Sequence, residues 1–306
     1  MKKILLINDS ISGVVSAEKT FWSVLAESFF EIKPISLNLF NENLFEYIWK
    51  TKPSIIIVNS IIGSIKTPPG VKKIVLLQDN FKLMKEILPI SFRNIVKNII
   101  YFGRRSYAAK IKKQEKAIAA ADVVVAVSTN VANSYNLPNA VIIPVGTDTK
   151  LFSPLNNREE LKIKYGLPLN KKIKIFVGST HSVKGFDILK KEITADKESF
   201  YILVLKDKWF RKLNLPNVKV FQRVSQSILS ELYNCADIYI GRSRVETLWL
   251  TPIEAMFCNV PVDVTPVGIF ADWQPENKNP RQEAFTNGLD RETMIRKWQE
   301  LIAQLS

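Results

Sequence analysis

Uninterrupted apolar runs recur along the chain and constrain its fold more than any other feature. Ile55-Ile56-Ile57-Val58, Ile74-Val75-Leu76-Leu77 and Val123-Val124-Val125 fall in the first half, and Ile202-Leu203-Val204-Leu205 in the second. A strand that is apolar at successive positions, without alternation, has to be covered on both faces, as in a parallel sheet flanked by helices. The spacing predicts strands over 3–7, 34–37, 54–58, 73–77, 123–127 and 141–144. Helices are predicted over 16–30 and 44–49, with two more, both basic, within 82–121. Further strands follow over 172–177, 201–205, 218–221, 238–240 and 260–264, with helices over 159–164, 186–192, 226–234 and 252–258. Gly, Pro and Asn punctuation over 146–157 marks a linker. The expectation is an α/β chain of two Rossmann-like doubly wound domains, 1–150 and 151–306, facing each other across a cleft that holds a ligand. At 306 residues the chain has the length for both. The last stretch, 291–305, carries Met294, Ile295, Trp298, Leu301 and Ile302 on one helical face. It either caps its own domain or packs back on the first.

Hydrophobic residues make up 46% of the chain and charged ones 24%, the balance of a globular protein. No apolar run approaches the roughly 18 to 20 residues that span a bilayer. The start is too short and too soon acidic for a signal peptide, so Met1 is expected to begin the mature fold. Cys235 and Cys258 lack metal-ligand spacing and read as buried free thiols of a cytoplasmic protein. The formal charge of +14 is unevenly placed: between Lys72 and Lys116 twelve basic residues face three acidic ones, interleaved with apolar side chains. Such a stripe suits peripheral contact with an anionic membrane at the inner face, and equally a solvated face over an ordinary core. No nucleic-acid-binding motif accompanies it.

Two sequence segments carry chemistry. Glu246 and Glu254 are separated by seven residues, one at a strand exit and the other in the first turns of the next helix, where Pro252 suits a helix start. Ligands of open α/β sheets collect at such edges, and a carboxylate there accepts hydrogen bonds from ribose or sugar hydroxyls. Earlier, 172–189 reads as strand, small polar loop and helix. Backbone amides of the Gly178–Gly185 loop, the positive end of the helix and Lys184 together suit a diphosphate. His181, the only histidine, reads as a loop bystander. No Asp-x-Asp pair or His cluster offers a metal site.

The Glu246–Glu254 segment, with Ala236-Asp237 before it and Val260-Pro261-Val262 behind it, resembles the E-x7-E signature of retaining glycosyltransferases of the GT-B fold, family 4-like, group 1. Two more matches stand in the right order: Gly146-x-Asp148 before Phe152-x-Pro154, and Lys184-Gly185. The resemblance implies transfer of a sugar from a nucleotide-diphosphate sugar to a hydroxyl of a sugar or lipid-linked acceptor, without a metal or other cofactor. It implies catalytic roles for Glu246, Lys184 and Asp79. Glu254, Gly178, Ser179, Thr180, Lys184, Arg244 and Thr251 would bind the donor, and Asp9, Ser12, Gly13 and Gln78 would face the acceptor. Ser179 stands where the pattern has an arginine, a loss of about 1.5–3 kcal/mol unless Arg242 or Arg244 supplies the charge. Trp249 stands where a glycine is usual, and Gln78-Asp79-Asn80 where many relatives place a histidine. These departures leave a second expectation open, a non-catalytic subunit that binds a partner.

Overall fold

The computed structural model of the chain describes residues 4–8, 32–36, 44–62, 64–87, 104–207 and 215–305. The helix expected over 16–30, the acceptor-side residues Asp9, Ser12 and Gly13, and the basic residues Arg93 and Lys97 lie outside the described residues. Two compact units emerge: Met1–Pro144 together with Met294–Ser306, and Val145–Thr293.

In the first unit, strands β1 (Ile4–Asn8), β2 (Ile32–Ser36), β3 (Ile55–Asn59), β4 (Lys72–Leu77), β5 (Val123–Ala126) and β6 (Val141–Ile142) form one parallel sheet in the order β2-β1-β3-β4-β5-β6. Every residue of β3 is buried, as its unbroken apolar run requires. Strand β2 starts at Ile32, two residues before the expected start at Pro34, and Pro34 is tolerated inside it because β2 is an edge where a missing N–H is no loss. Described helices are α1 (Leu44–Thr51), α2 (Phe81–Ile87), α3 (Arg104–Ala119) and α4 (Thr129–Ser134). Ile48 of α1 and Ala117 of α3 join Leu5, Ile7, Ile56, Val58 and Val75 in one core cluster. Each such aliphatic side chain contributes about 1.5–3 kcal/mol by leaving water.

The second unit repeats the plan. Helices α5 (Arg158–Lys164), α6 (Phe186–Ala195), α7 (Gln226–Cys235), α8 (Leu250–Phe257) and α9 (Pro280–Thr286) accompany β7 (Ile173–Gly178), β8 (Phe200–Leu205), β9 (Val218–Gln222), β10 (Ile238–Gly241) and β11 (Val262–Val264). The parallel order is β11-β10-β7-β8-β9. From β7 the chain builds outward through β8 and β9, then returns to place β10 on the other side of β7. The loops after β7 and β10 therefore diverge at the switch point of the sheet, where α/β ligands bind. Helix α10 (Arg291–Gln304) begins in this unit and continues into the first. The expected strand over 260–264 is shortened to Val262–Val264, since Pro261 offers only its carbonyl, accepting from the Tyr239 N–H at 2.8 Å.

The same device anchors both sheets. Each has an Ala-Asp pair opening a strand, Asp122 before β5 and Asp237 before β10. Asp122 donates its N–H to the Lys73 carbonyl at 2.9 Å, and its Oδ2 accepts the Lys73 N–H at 2.8 Å. Asp237 does the same with Ile173, at 2.8 and 2.7 Å, and its other oxygen meets Arg158 at 2.5 Å. Burial alone would raise both carboxyls. The amide bonds, with Lys72 and Arg158, outweigh it and hold both below the usual range. We predict that Asp122→Ala and Asp237→Ala each destabilise the protein by about 1–3 kcal/mol at neutral pH, nearly additively because the two sites share no partner. A depressed carboxyl contributes stability above its unfolded pKa and loses it as pH falls through its folded value, so urea-unfolding curves of wild type and variants should converge in acid.

Candidate active site

Strand β7 ends at Gly178, and Ser179, Thr180 and His181 lead into a single 3-10 turn, Ser182–Lys184. The Thr180 N–H donates to Asp207 Oδ2 at 2.6 Å, and His181 Nδ1 accepts the Val183 N–H at 3.2 Å. The lone histidine thus caps the turn. Gly185 follows with φ +66°, and a Cβ there would overlap the carbonyl of Arg242 just beyond β10. Only glycine satisfies both demands. Its close approach lets the two loops join: the Arg244 N–H donates to the Val183 carbonyl at 2.7 Å, and Ser243 Oγ lies 3.2 Å from the same carbonyl.

The junction places Lys184 Nζ 2.7 Å from Glu246 Oε1, and Ser243 Oγ donates to that oxygen, also at 2.7 Å. Gly268, at φ +63°, leaves room for the turn, since a Cβ there would stand 3.0 Å from Glu246 Cβ. Trp249 closes the turn at φ +78°, a left-handed backbone that accounts for a glycine being usual at this position. Its ring does not face outward. It fills the space a side chain would need at Gly241 and meets Phe270 edge-on, with centroids 5.9 Å apart. Helix α8 then starts without a side-chain cap, leaving its first amides for an anion or solvent.

On α8, Thr251 Oγ1 lies 2.8 Å from the Tyr239 hydroxyl, and Glu254 Oε2 accepts from the Tyr233 hydroxyl at 2.9 Å. Burial lifts the Glu254 carboxyl to about 7, against the Tyr233 hydrogen bond and the charge of Lys206. Burial also raises the Tyr239 hydroxyl, and the nearby charges of Glu246 and Glu254 raise it further.

Other candidates have different neighbours from those expected. Arg244 is bound bidentately to Asp187 at 2.7 Å through each nitrogen and also donates to the Ser182 carbonyl. Arg242 is held by Glu192 at 2.8 Å and Asp263 at 2.7 Å. Both guanidinium groups brace the sheet edge and already have carboxylate partners. Ser243, Tyr233, Tyr239 and Asp207 escaped the sequence reading. Ser243 is legible in hindsight, three residues before Glu246, whereas nothing in the spacing ties Tyr233 to Glu254.

In the first unit, Gln78 and Asp79 follow β4 directly. Gln114 of α3 donates through Nε2 to the Asp79 carbonyl at 3.1 Å and to Ser60 Oγ at 2.9 Å, while its Oε1 accepts from Tyr135. Burial raises the Asp79 carboxyl, opposed by the charge of Lys110. Asn80 caps α2 by accepting the Leu83 N–H at 3.0 Å. Among the described residues no group of three His, Cys, Asp or Glu side chains is arranged to hold a metal ion.

Two outcomes follow from this geometry. Gly185→Ala should unseat the loop and lower stability by at least about 1–3 kcal/mol, seen as a lower melting temperature and faster hydrogen exchange at Val183 and Arg244. A carboxyl raised on folding makes the folded state bind its proton more tightly, so stability falls as pH rises from about 4.5 to 7. Glu254→Gln should therefore melt higher than wild type at pH 8 and show no such gain at pH 4; a gain equal at both pH values would contradict the assignment.

Residues 157–302 match the family model described as glycosyl transferases group 1. The lipopolysaccharide core biosynthesis mannosyltransferase LpsB of Rhizobium meliloti is 28% identical over 172 residues, covering 49% of this chain and 47% of that protein. D-inositol 3-phosphate glycosyltransferase 1 of Catenulispora acidiphila is 28% identical over 203 residues, covering 57% and 48%. The chain thus spans about half the length of the curated relatives it matches. The sucrose-phosphate synthase structure from Thermosynechococcus elongatus superposes with a TM-score of 0.75 at 16% identity, covering 100% of this chain and 99% of that one. Anabaena HepE in complex with UDP-glucose gives 0.70 at 15%, covering 99% and 100%. Two parallel-sheet Rossmann-like units of the GT-B type are shared with these structures. Over residues 157–302 the chain is thus similar to the group 1 glycosyl transferases.

Proposed function

We propose that this chain is a retaining glycosyltransferase that moves a sugar from a nucleotide-diphosphate sugar to a hydroxyl of a sugar or lipid-linked acceptor. The observation that carries the reading is the 2.7 Å contact between Lys184 and Glu246 at the sheet switch point, with Glu254 in the second turn of the following helix α8. In the reaction the bond between the anomeric carbon and the diphosphate oxygen breaks, the acceptor oxygen bonds to that carbon, and the nucleoside diphosphate leaves. Negative charge grows on the departing oxygens, so fixed positive groups there are the largest catalytic term. Lys184 takes this role by exchanging the Glu246 carboxylate for phosphate. Glu246, still held by Ser243, then accepts hydroxyls of the donor sugar. Glu254 accepts from the ribose, and the loop amides at Gly178, Ser179 and Thr180, with Thr251 on α8, line the phosphate side. Asp79 and Gln78 belong to the acceptor side. HepE, solved with UDP-glucose, and the mannosyltransferase LpsB support a nucleotide-sugar donor by their shared fold and sequence.

A peripheral, cytoplasmic-face location suits a lipid-linked acceptor. Helix α3 exposes Lys112, Lys113 and Lys116, and among the described residues no helix is long and apolar enough to cross a membrane. Charge reversal at the three lysines should reduce co-sedimentation with anionic vesicles; wild-type binding to anionic and zwitterionic vesicles alike would count against membrane contact.

The second reading, a donor-binding subunit without turnover, is favoured by Ser179 and by the engagement of Arg242 and Arg244 with carboxylates. Incubating the purified protein with UDP-, GDP-, ADP- and dTDP-sugars and following nucleotide release separates the two. We expect release with at least one donor, and loss of donor binding in a folded Glu254→Ala variant. Tight donor binding without release in the presence of any acceptor would support the subunit, and unchanged donor affinity in Glu254→Ala would refute the role given to that carboxylate.

A further inference from the structure

We propose that Lys206 is a second cationic contact for the donor diphosphate, supplying from the neighbouring strand the charge that Ser179 does not. The proposal rests on reading this sheet edge as a nucleotide-sugar site, and it concerns a residue with no match in the motifs that suggested that site.

The register brings Lys206 to the place. Gly178 at the end of β7 pairs with Leu205 at the end of β8, so Lys206 leaves the sheet beside Ser179. Its own N–H donates to the Gly178 carbonyl at 3.1 Å, and Asp207 Oδ2 accepts the Thr180 N–H at 2.6 Å. Residues 206–207 are therefore stitched along 178–180, and the backbone under Lys206 moves with the loop.

Charge selects it. Besides Arg223, which is exposed and whose Nε donates to the Lys206 carbonyl at 3.4 Å, four described cationic side chains stand at these strand ends. Lys184 is paired with Glu246, Arg242 with Glu192 and Asp263, and Arg244 with Asp187. Among the described residues Lys206 forms no ion pair, and its side chain is exposed. A cation already bound to a carboxylate offers an incoming phosphate only the difference between two pairings, whereas an uncommitted ammonium offers the whole of a charge-assisted bond. The Lys206 charge also opposes the upward pull of burial on the Glu254 carboxyl. Lysine suits the task, because its flexible four-carbon stem reaches across a strand to a phosphate without needing a fixed fork geometry.

The test is calorimetric titration of UDP, GDP, ADP and dTDP, with the matching nucleosides as phosphate-free controls, into wild type, Lys206→Gln, Lys206→Arg and the Ser179→Arg/Lys206→Gln double variant. Wild type should bind at least one diphosphate. Lys206→Gln should weaken that diphosphate about tenfold or more, leave nucleoside affinity and melting temperature unchanged, and be rescued by Lys206→Arg. Recovery in the double variant would support the exchange of charge between the two strand ends. Equal diphosphate affinity in wild type and Lys206→Gln would overturn the role of Lys206, as would an equal loss for the nucleoside. Failure of wild type to bind any of the four diphosphates would instead overturn the donor reading, and the role of Lys206 with it.

Discussion

The close approach of Gly185 to the carbonyl of Arg242 is the contact on which the candidate site depends. Strands β7 and β10 are neighbours, and their outgoing loops meet only where one of them lacks a Cβ. Once they meet, the Val183 carbonyl accepts from the Arg244 N–H, and Lys184 is carried within 2.7 Å of Glu246. Gly268 performs a matching service behind Glu246, and the left-handed Trp249 turns the chain into α8, where Thr251 and Glu254 stand. A residue sixty-one positions before Glu246 thus determines where that carboxylate finds its cation.

Charge is arranged on two scales. At the strand ends of the second unit, Lys184, Arg242 and Arg244 are matched by acids, so an anionic ligand has to displace a carboxylate or find a cation without one. Elsewhere the chain keeps its excess of +14, part of it on the exposed lysines of α3. The half-buried Glu254 sits between these regimes. Its raised carboxyl makes this edge of the sheet sensitive to pH near neutrality, while the ion-paired Lys184, Arg242 and Arg244 are governed by competition between anions.

Much of the fold was legible in the sequence, because unbroken Val and Ile runs have few physical alternatives to a doubly covered parallel sheet. The strands at Ile55–Asn59 and Lys72–Leu77 fell within a residue or two of expectation. Edges were harder: Pro34 and Pro261 shift strand limits according to which neighbour needs an amide. The helices Thr129–Ser134 and Pro280–Thr286 went unforeseen, being too short to show periodicity. In the site, spacing and resemblance singled out Lys184, Glu246 and Glu254. Side-chain direction was beyond them. Whether Trp249 would point outward depended on Gly241 offering it space, and the partners of Arg242 and Arg244 depended on Asp263 and Asp187 coming from separate elements. Tyr233 reaches Glu254 across α7 and α8 by packing that no local pattern encodes.

The competition at Lys184 can be measured directly by titrating sugar-free nucleoside diphosphate into wild type, Glu246→Gln, Lys184→Met and the double variant. If the Glu246 carboxylate holds Lys184 until phosphate takes its place, Glu246→Gln binds the diphosphate more tightly than wild type, and that gain disappears when Lys184 is replaced. Weaker binding in Glu246→Gln, or the same gain with and without Lys184, would contradict the exchange.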